Sequence, residues 1–271
     1  MSVSPLAYVH PDAKLGKDVV IEPFAYIAGD VEIGEGTYIG PNVSVLDGAR
    51  IGKNCKIHSG AVVSGIPQDL KFKGEKTTAI IGDNTTLREF VTVNRGTASR
   101  GFTKVGSGCL LMAYVHVAHD CVLGDRIILG NSTQLAGEVE IDDFAILSGG
   151  ILVHQFEHIG SHVIIQGGSK VNKDVPPYVT AGREPLVFAG LNSIGLRRRN
   201  FSPEKIAEIH EIYRILYNKG LNVSQALEKI EQEVPHSPER DEIVGFIRNS
   251  KRGVIRAATS SSSSSSADLD D

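Results

Sequence analysis

Aliphatic side chains recur at every sixth position through most of this chain. Val9, Leu15, Ile21, Ile27, Ile33, Ile39, Val45, Ile51, Ile57 and Val63 form one unbroken ladder. The same phase returns at Ile81, Leu87 and Val93, and runs again without a miss from Val105 through Leu111, Val117 and Leu123 to Val171. A period of six is neither the helical 3.6 nor the simple strand alternation of 2. It predicts short strands wound into a solenoid, with one aliphatic residue per strand pointing to the axis.

Three such units, 18 residues, close one triangular coil. The next coil stacks one strand spacing further on, ~4.8 Å, so that backbone groups are satisfied between coils. Glycine follows the ladder residue at Ile33-Gly34, Ile51-Gly52, Ile81-Gly82, Val105-Gly106 and Leu123-Gly124, where the pattern predicts a tight corner that favours a residue without a Cβ.

The ladder breaks twice. Residues 64–79, SGIPQDLKFKGEKTTA, and 94–104, NRGTASRGFTK, are polar, and Asp69 and Glu75 stand where ladder residues are due. Both excursions keep the phase of six, and their composition predicts projecting loops, where a solenoid carries its function. After Val171 the paired Pro176-Pro177 predict the end of the hydrogen-bonded ladder. From Ser202 the pattern turns helical: Ser202-Pro203 is a cap signal, and Ile206, Ile209, Ile212, Tyr213 and Leu216 fall at helical spacing. Asn218-Lys219-Gly220 predicts the stop, with further helices over Ser224–Val234 and Ser237–Asn249. The chain thus divides into a mainly β solenoid over 1–180, a connection over 181–201, a small α-helical domain over 202–256, and a low-complexity tail over 257–271, with seven serines at Ser260–Ser266, that is expected to be disordered.

Composition narrows the function classes. A formal charge of −4 argues against a general nucleic-acid binder. No apolar run is long enough to span a membrane, ~18 residues, and no secretory leader opens the chain, so the expected compartment is the cytoplasm. Cys55, Cys109 and Cys121 are odd in number and lack metal-knuckle spacing, which fits reduced thiols.

Chemistry concentrates in Tyr114-Val115-His116-Val117-Ala118-His119-Asp120-Cys121. His116 and His119 flank the inward Val117 and face outward. A neutral imidazole is suited to removing a hydroxyl proton near pH 7, and an adjacent carboxylate fixes its tautomer, so His119 with Asp120 is a candidate base. Surface corner histidines are the bland alternative. Column arithmetic places Glu138 one coil beyond Asp120, and His154 near the His119 column, so a polar strip of His116, His119, Asp120, Glu138 and His154 is expected along one edge. Gly137 beside it offers a backbone N–H to a developing oxyanion.

The runs IPQDLKFKGE, VNRGT, LLMAYVHVAHDC, LAGEVEIDDFAI, VHQF, DVPPYV and GLRRRNFS resemble, in order and spacing, the UDP-N-acetylglucosamine O-acyltransferases of lipid A biosynthesis. The resemblance extends from the N-terminus to about Arg256 and implies a left-handed parallel β-helix with a C-terminal helical domain. It further implies a homotrimer with active sites between subunits. His119 is then the general base toward the sugar 3-hydroxyl, Asp120 its orienting partner and Gly137 the oxyanion donor. The attacked group is a 3-hydroxyacyl thioester on acyl carrier protein. His116, His154, Asp69 and Lys71 become substrate contacts, Asn192 and Arg198 contacts to the nucleotide end, and Gly167 the gauge of acyl length. No metal and no cofactor is implied.

The chain departs from the family pattern at Glu138, where a histidine is expected, and at Asn94, Pro67 and Ile194. Glu138 stays among the candidate substrate contacts by its place in the strip. Other readings remain open: an amino-sugar N-acyltransferase on the same scaffold, a non-catalytic sugar-nucleotide binder, or a zinc enzyme like the gamma-type carbonic anhydrases. The zinc reading would draw on His116, His119, His154, His158 and His162, but the last three fall in different columns, whereas zinc ligands must converge at about 2.1 Å from one ion.

Overall fold

The computed structural model describes residues 2–218 and 220–258, with the side chain of Asn218 outside the description. The serine run and Lys219 of the expected helix stop lie outside the described residues. Among these, the strands fall into three sheets of 12, 9 and 8 strands that form the faces of a parallel β-helix. Most strands are two residues long, an outward side chain followed by the inward ladder residue. Leu111, Leu129, Leu147 and Ile165 pair in consecutive coils at the 18-residue step. From Ile21 to Val171 the ladder residues are buried. Each aliphatic side chain so buried contributes about 1.5–3 kcal/mol. Val9 and Leu15 sit in the open first coils and are only partly covered.

A second inward row lies two residues before the ladder. It holds Val19, Val43, Ala61, Val91, Val115 and Val139, and also the three cysteines, all buried and free. Burial pushes the Cys109 thiol up to about 11 and the Cys121 thiol up to about 12, so neither is a thiolate at neutral pH. Threonines in this row, such as Thr37 and Thr85, donate their hydroxyls to the carbonyls of Gly52 and Gly106, which satisfies them inside the prism.

The corners are built differently from the sequence expectation. The left-handed residue comes three positions after the ladder and is more often another residue than glycine: Asn42, Asn84, Phe90, Tyr114, Asp120, Ser132 and Glu138 have φ between +57° and +64°. The glycine directly after the ladder residue answers to close approach instead. A Cβ on Gly106 would lie 2.2 Å from the Gly124 carbonyl oxygen, and one on Gly82 would lie 2.5 Å from the Gly106 carbonyl carbon. Stacked coils meet there, backbone against backbone.

Both loops are narrower than composition suggests. The strands Val62–Gly65 and Thr78–Ile81 take the ends of the first, and Phe102–Val105 takes the end of the second, pairing over four residues with Thr78–Ile81. The projecting parts are 66–77 and 95–101. They brace each other: Thr77 Oγ1 donates to the Gly96 carbonyl, and the Arg95 guanidinium lies 5.5 Å from the Phe72 ring centre.

The prolines do not end the stack either. Pro176 and Pro177 occupy a corner, Val175 still bridges to Ile159, and Val179–Gly182 pairs in parallel with Ile164–Ile165. The segment 181–201 is correspondingly more than a connection. Val187–Leu191 folds back antiparallel on Val179–Gly182, and a short helix α1 (Ser193–Arg198) follows. Three helices come next, α2 (Pro203–Asn218), α3 (Val223–Glu233) and α4 (Pro238–Asn249). A capping box joins Asn222 and Gln225 at the start of α3, and Ser237 caps α4. The chain then returns to the β-helix, where Arg256–Ala257 pairs with Val187–Phe188, so residue 257 belongs to the sheet. Tyr213 anchors α2 through a buried hydroxyl donated to the Pro177 carbonyl at 2.6 Å.

Gly106→Ala should cost about 1–3 kcal/mol, because backbone atoms of the next coil must shift to admit a methyl group. Asn84→Gly, at a left-handed corner, should change stability by less than about 1 kcal/mol. Urea midpoints of the two variants against the wild type measure this contrast.

Candidate active site

The strand His116–Val117 turns Val117 inward and leaves His116 facing out, half-buried, at an edge between two sheets. His116 Nδ1 lies 2.7 Å from Thr92 Oγ1. Burial, reinforced by the nearby His119, holds its pKa below the ordinary histidine value, so it is neutral at pH 7.

The chain then turns the corner at Asp120, whose φ is +61°. This turn sends the Asp120 carboxylate under the second loop, where it is fully buried. It accepts hydrogen bonds from Thr97 N at 2.9 Å, Thr97 Oγ1 at 2.7 Å and Arg100 N at 3.3 Å. Burial works against its ionisation, but the hydrogen bonds from Thr97 and His119 outweigh it and hold the carboxyl below the usual range. His119 Nδ1 lies 2.8 Å from Asp120 Oδ2. An ionised carboxylate is an acceptor only, so Nδ1 carries the ring proton and Nε2 presents its lone pair.

Gly137, in the next coil, lies directly against that lone-pair edge. A Cβ there would meet His119 Nε2 at 2.6 Å and Cε1 at 2.5 Å. Only a residue without a side chain leaves the imidazole this position. Among the described residues the Gly137 N–H donates to no other group.

Next to this dyad is a cavity of about 270 Å³. Its lining brings together Asp69, Lys71 and Glu75 of the first loop, Thr97 to Ser99 of the second, and Glu138 and Phe156 of the same edge. Glu138 Oε1 accepts from Ser99 Oγ at 3.2 Å, which ties it to the second loop. Asp69 Oδ1 accepts the Lys71 backbone N–H at 2.9 Å, an Asx turn that shapes the loop tip. His154, well exposed on the same edge, approaches Arg252 Nη2 at 3.3 Å and the Gln155 carbonyl at 3.1 Å.

Three candidates lie elsewhere in the protomer. Gly167 is at the next edge, against Gly149. Asn192 and Arg198 are at the third: Asn192 caps α1 through Oδ1 and donates Nδ2 to the His162 carbonyl at 2.9 Å, so its amide is already engaged in the fold, and Arg198 ends α1. One chain therefore spreads the candidates over three edges of the prism.

Thr97 was not singled out from sequence, although it supplies two of the hydrogen bonds to Asp120. Its only sign was membership of the run VNRGT, since nothing in spacing tells that a loop some twenty residues upstream folds over the corner. The histidines considered for zinc do not gather. His158 Nε2 is held by both Asp142 oxygens at 2.9 Å, and the His162 ring is stacked between Phe144 and Tyr178. Among the described residues no three side chains of His, Cys, Asp and Glu are grouped as metal ligands.

Comparison with known proteins places the chain as a whole. The profile for domain 2 of UDP N-acetylglucosamine O-acyltransferase matches residues 174–255, and the bacterial transferase hexapeptide profile matches 12–45, 30–65 and 102–137. The acyl-[acyl-carrier-protein]–UDP-N-acetylglucosamine O-acyltransferase of Halorhodospira halophila is 46% identical over 255 residues, covering 94% of this chain and 99% of that protein. This chain belongs to the UDP-N-acetylglucosamine O-acyltransferase family. Among solved structures, LpxA, a UDP-N-acetylglucosamine acyltransferase from Bacteroides fragilis, is 57% identical with a TM-score of 0.93, covering 94% of this chain and all of that one. The Francisella novicida acyltransferase is 40% identical, also with a TM-score of 0.93, over 96% of each chain. The dyad at His119 is thus carried on an O-acyltransferase scaffold along nearly its whole length.

Gly137→Ala should displace the His119 ring and break its bond to Asp120. The measurement is the proton NMR signal of the His119 Nδ1–H, expected downfield in the wild type and lost in the variant, with the urea midpoint changed little.

Proposed function

We propose that this protein transfers a 3-hydroxyacyl chain from acyl carrier protein to the 3-hydroxyl of UDP-N-acetylglucosamine, the first step of lipid A biosynthesis. Besides family membership, the observation that carries the reading is the His119–Asp120 pair, held by Thr97 of the same loop that lines the neighbouring cavity.

In this reaction His119 Nε2 takes the proton of the sugar hydroxyl as its oxygen attacks the thioester carbonyl. Negative charge moves to the carbonyl oxygen, and the Gly137 N–H donates to it. Collapse of the tetrahedral intermediate re-forms the carbonyl and breaks the carbon–sulfur bond. The imidazolium of His119 then returns the proton to the departing thiolate of the carrier. Asp120 fixes the tautomer in the first half and stabilises the imidazolium in the second. Its buried bonds to Thr97 keep it ionised throughout. Asp69, Lys71, His116, Glu138 and His154 contact the sugar nucleotide in this scheme.

Gly167, Asn192 and Arg198 lie on other edges of the prism than His119, and in this reading neighbouring copies bring them to it. We take the working form to be a homotrimer, with sites between subunits. Support comes from a strip of exposed aromatic side chains that calls for cover: Phe24, Phe90 and Tyr114 are 63%, 51% and 57% exposed, and Phe90 stacks on Tyr114 at 5.3 Å. No helix of the described residues is long and apolar enough to cross a membrane. Both substrates are soluble, and we assign the reaction to the cytoplasm. An amino-sugar N-acyltransferase would use the same base, and would act only on an acceptor with a free 2-amine.

His119→Ala should lower kcat by roughly 10²–10⁴-fold, with UDP-N-acetylglucosamine and 3-hydroxyacyl carrier protein as substrates. Co-expression of His119→Ala with Arg198→Ala subunits should restore activity that neither variant has alone, because mixed trimers contain sites with both residues intact. Absence of complementation, with both chains in one assembly, would place the two residues in one chain's site. Transfer to a free 2-amine with none to UDP-N-acetylglucosamine would favour the N-acyltransferase.

A further inference from the structure

A second cavity, of about 280 Å³, adjoins the first across Glu138 and Phe156. Its floor is Glu157, a carboxylate with no exposed surface that the mechanism above does not use. Neither Glu157 oxygen accepts a well-aligned hydrogen bond. Its nearest cation is Arg252, whose Nε lies 2.7 Å from Oε1.

Arg252 belongs to the strap that leaves α4 and is fastened to the last coil. Lys173 Nζ donates to the Arg252 carbonyl at 2.7 Å, Ser250 Oγ donates to Asp174 Oδ2 at 2.5 Å, and Asp174 N donates to the Gly253 carbonyl at 3.1 Å. From this strap the guanidinium reaches over Glu157 to His154, with Nη2 at 3.3 Å from Nδ1. The same Nδ1 also lies 3.1 Å from the Gln155 carbonyl. Glu157 Oε1 itself lies further off, 4.0 Å from the same nitrogen. These partners require opposite things of the ring: a guanidinium N–H needs the Nδ1 lone pair, whereas a carbonyl, and the more distant carboxylate, favour a proton there.

We propose that Glu157 is a positioning residue that, by holding Arg252 against His154, keeps this imidazole in the Nε2–H tautomer, ready to donate to the acceptor substrate. The donation itself rests on the reading of His154 as a substrate contact; the tautomer does not. Nε2–H suits a hydroxyl or phosphate oxygen of a sugar nucleotide, and the opposite tautomer presents a lone pair to it.

Burial, opposed by Arg252, pushes the Glu157 carboxyl up to about 7. Above that value it is ionised and holds the guanidinium. Below it, the protonated carboxyl faces Asp174 as hydrogen-bond partner and releases Arg252. Other titratable and charged groups face Glu157 or the cavity: His154 itself, with Nδ1 4.0 Å from Oε1, Arg100 from the second loop, Glu138 and Glu140 from the neighbouring coil, His158 beside Glu157 in the same coil, Asp174 from the coil above, and Lys251 from the strap. His158 is held by Asp142, which outweighs burial and raises its pKa, and this pair is untouched when Glu157 is replaced.

The test is nitrogen NMR of histidine-labelled protein, with His154 assigned by a His154→Gln difference, in the wild type, Glu157→Gln, Arg252→Ala and Arg252→Lys. The wild type at pH 8 should show Nδ1 unprotonated and Nε2 protonated, and both Glu157→Gln and Arg252→Ala should shift the ring toward the Nδ1–H form. KM for UDP-N-acetylglucosamine should rise roughly tenfold in each, the size of one hydrogen bond to a charged group, with kcat changed far less. The double variant should be no worse than Arg252→Ala alone, because both act through one contact. In the wild type KM should climb as pH falls through 7, and in Glu157→Gln it should be high and flat. An unchanged tautomer in Glu157→Gln and Arg252→Ala overturns the proposal, as do additive losses. His154→Gln with unchanged KM would remove the substrate contact and leave the tautomer result standing. Arg252→Lys keeps the charge without the fork, and should lose the tautomer preference while remaining folded.

Discussion

Everything in this molecule depends on one coil satisfying the backbone of the next. A two-residue strand is too short to be stable alone, but here each one pairs in parallel above and below, through most of the chain. The repeat of six follows from that need. Each face must present one inward side chain at the same height, coil after coil, so that the axis fills with stacked aliphatic groups while the strands pair with those above and below. Parallel ladders are normally buried on both faces. Here one face is the prism axis, and the other is free to carry loops and helices.

The site grows out of that regularity at the point where it is interrupted. Both excursions keep the phase, so the coils above and below continue undisturbed while twelve and six extra residues are spliced in, as the pairings Val63–Val93 and Val93–Val117 show. The second excursion folds back over the corner and buries Asp120 under Thr97. A carboxylate buried in this way would ordinarily pick up a proton, yet three donors from the loop and the imidazole beside it hold it ionised. The same stacking that makes the core makes the geometry of the candidate site: Gly137 reaches the edge of His119 because it sits one coil further along the same edge.

The C-terminal helices reach that edge only through their last segment. Their exit strap crosses from α4 back to the last coil and carries Arg252 to within hydrogen-bonding reach of His154. A domain that at first sight only closes the end of the prism therefore sets a charge beside the cavity. The buried Glu157 beneath it is costly unless it answers to a partner.

The sequence by itself determined the solenoid, its triangular coil, the two excursions and the helical appendage, because a period of six and a switch to helical spacing are properties of local order along the chain. It also marked the His119–Asp120 pair, adjacent in sequence and presented together by one corner. What it misread were matters of distance between coils. Gly106 was expected to serve a tight turn, but it makes room for the backbone of the next coil, while the left-handed corners fell to Asn84, Phe90 and Asp120. Pro176-Pro177 was expected to end the stack, but a corner needs no donor there. Thr97 gave no signal beyond its place in the run VNRGT, and Arg252 and Glu157 gave none, since the partners that matter are twenty to nearly one hundred residues away. Only the folded coil decided which distant residues meet at one edge, and that Gly167 and Arg198 lie on others. Pattern fixes what each residue does within its own turn, and contacts between turns exist only after the chain has closed on itself.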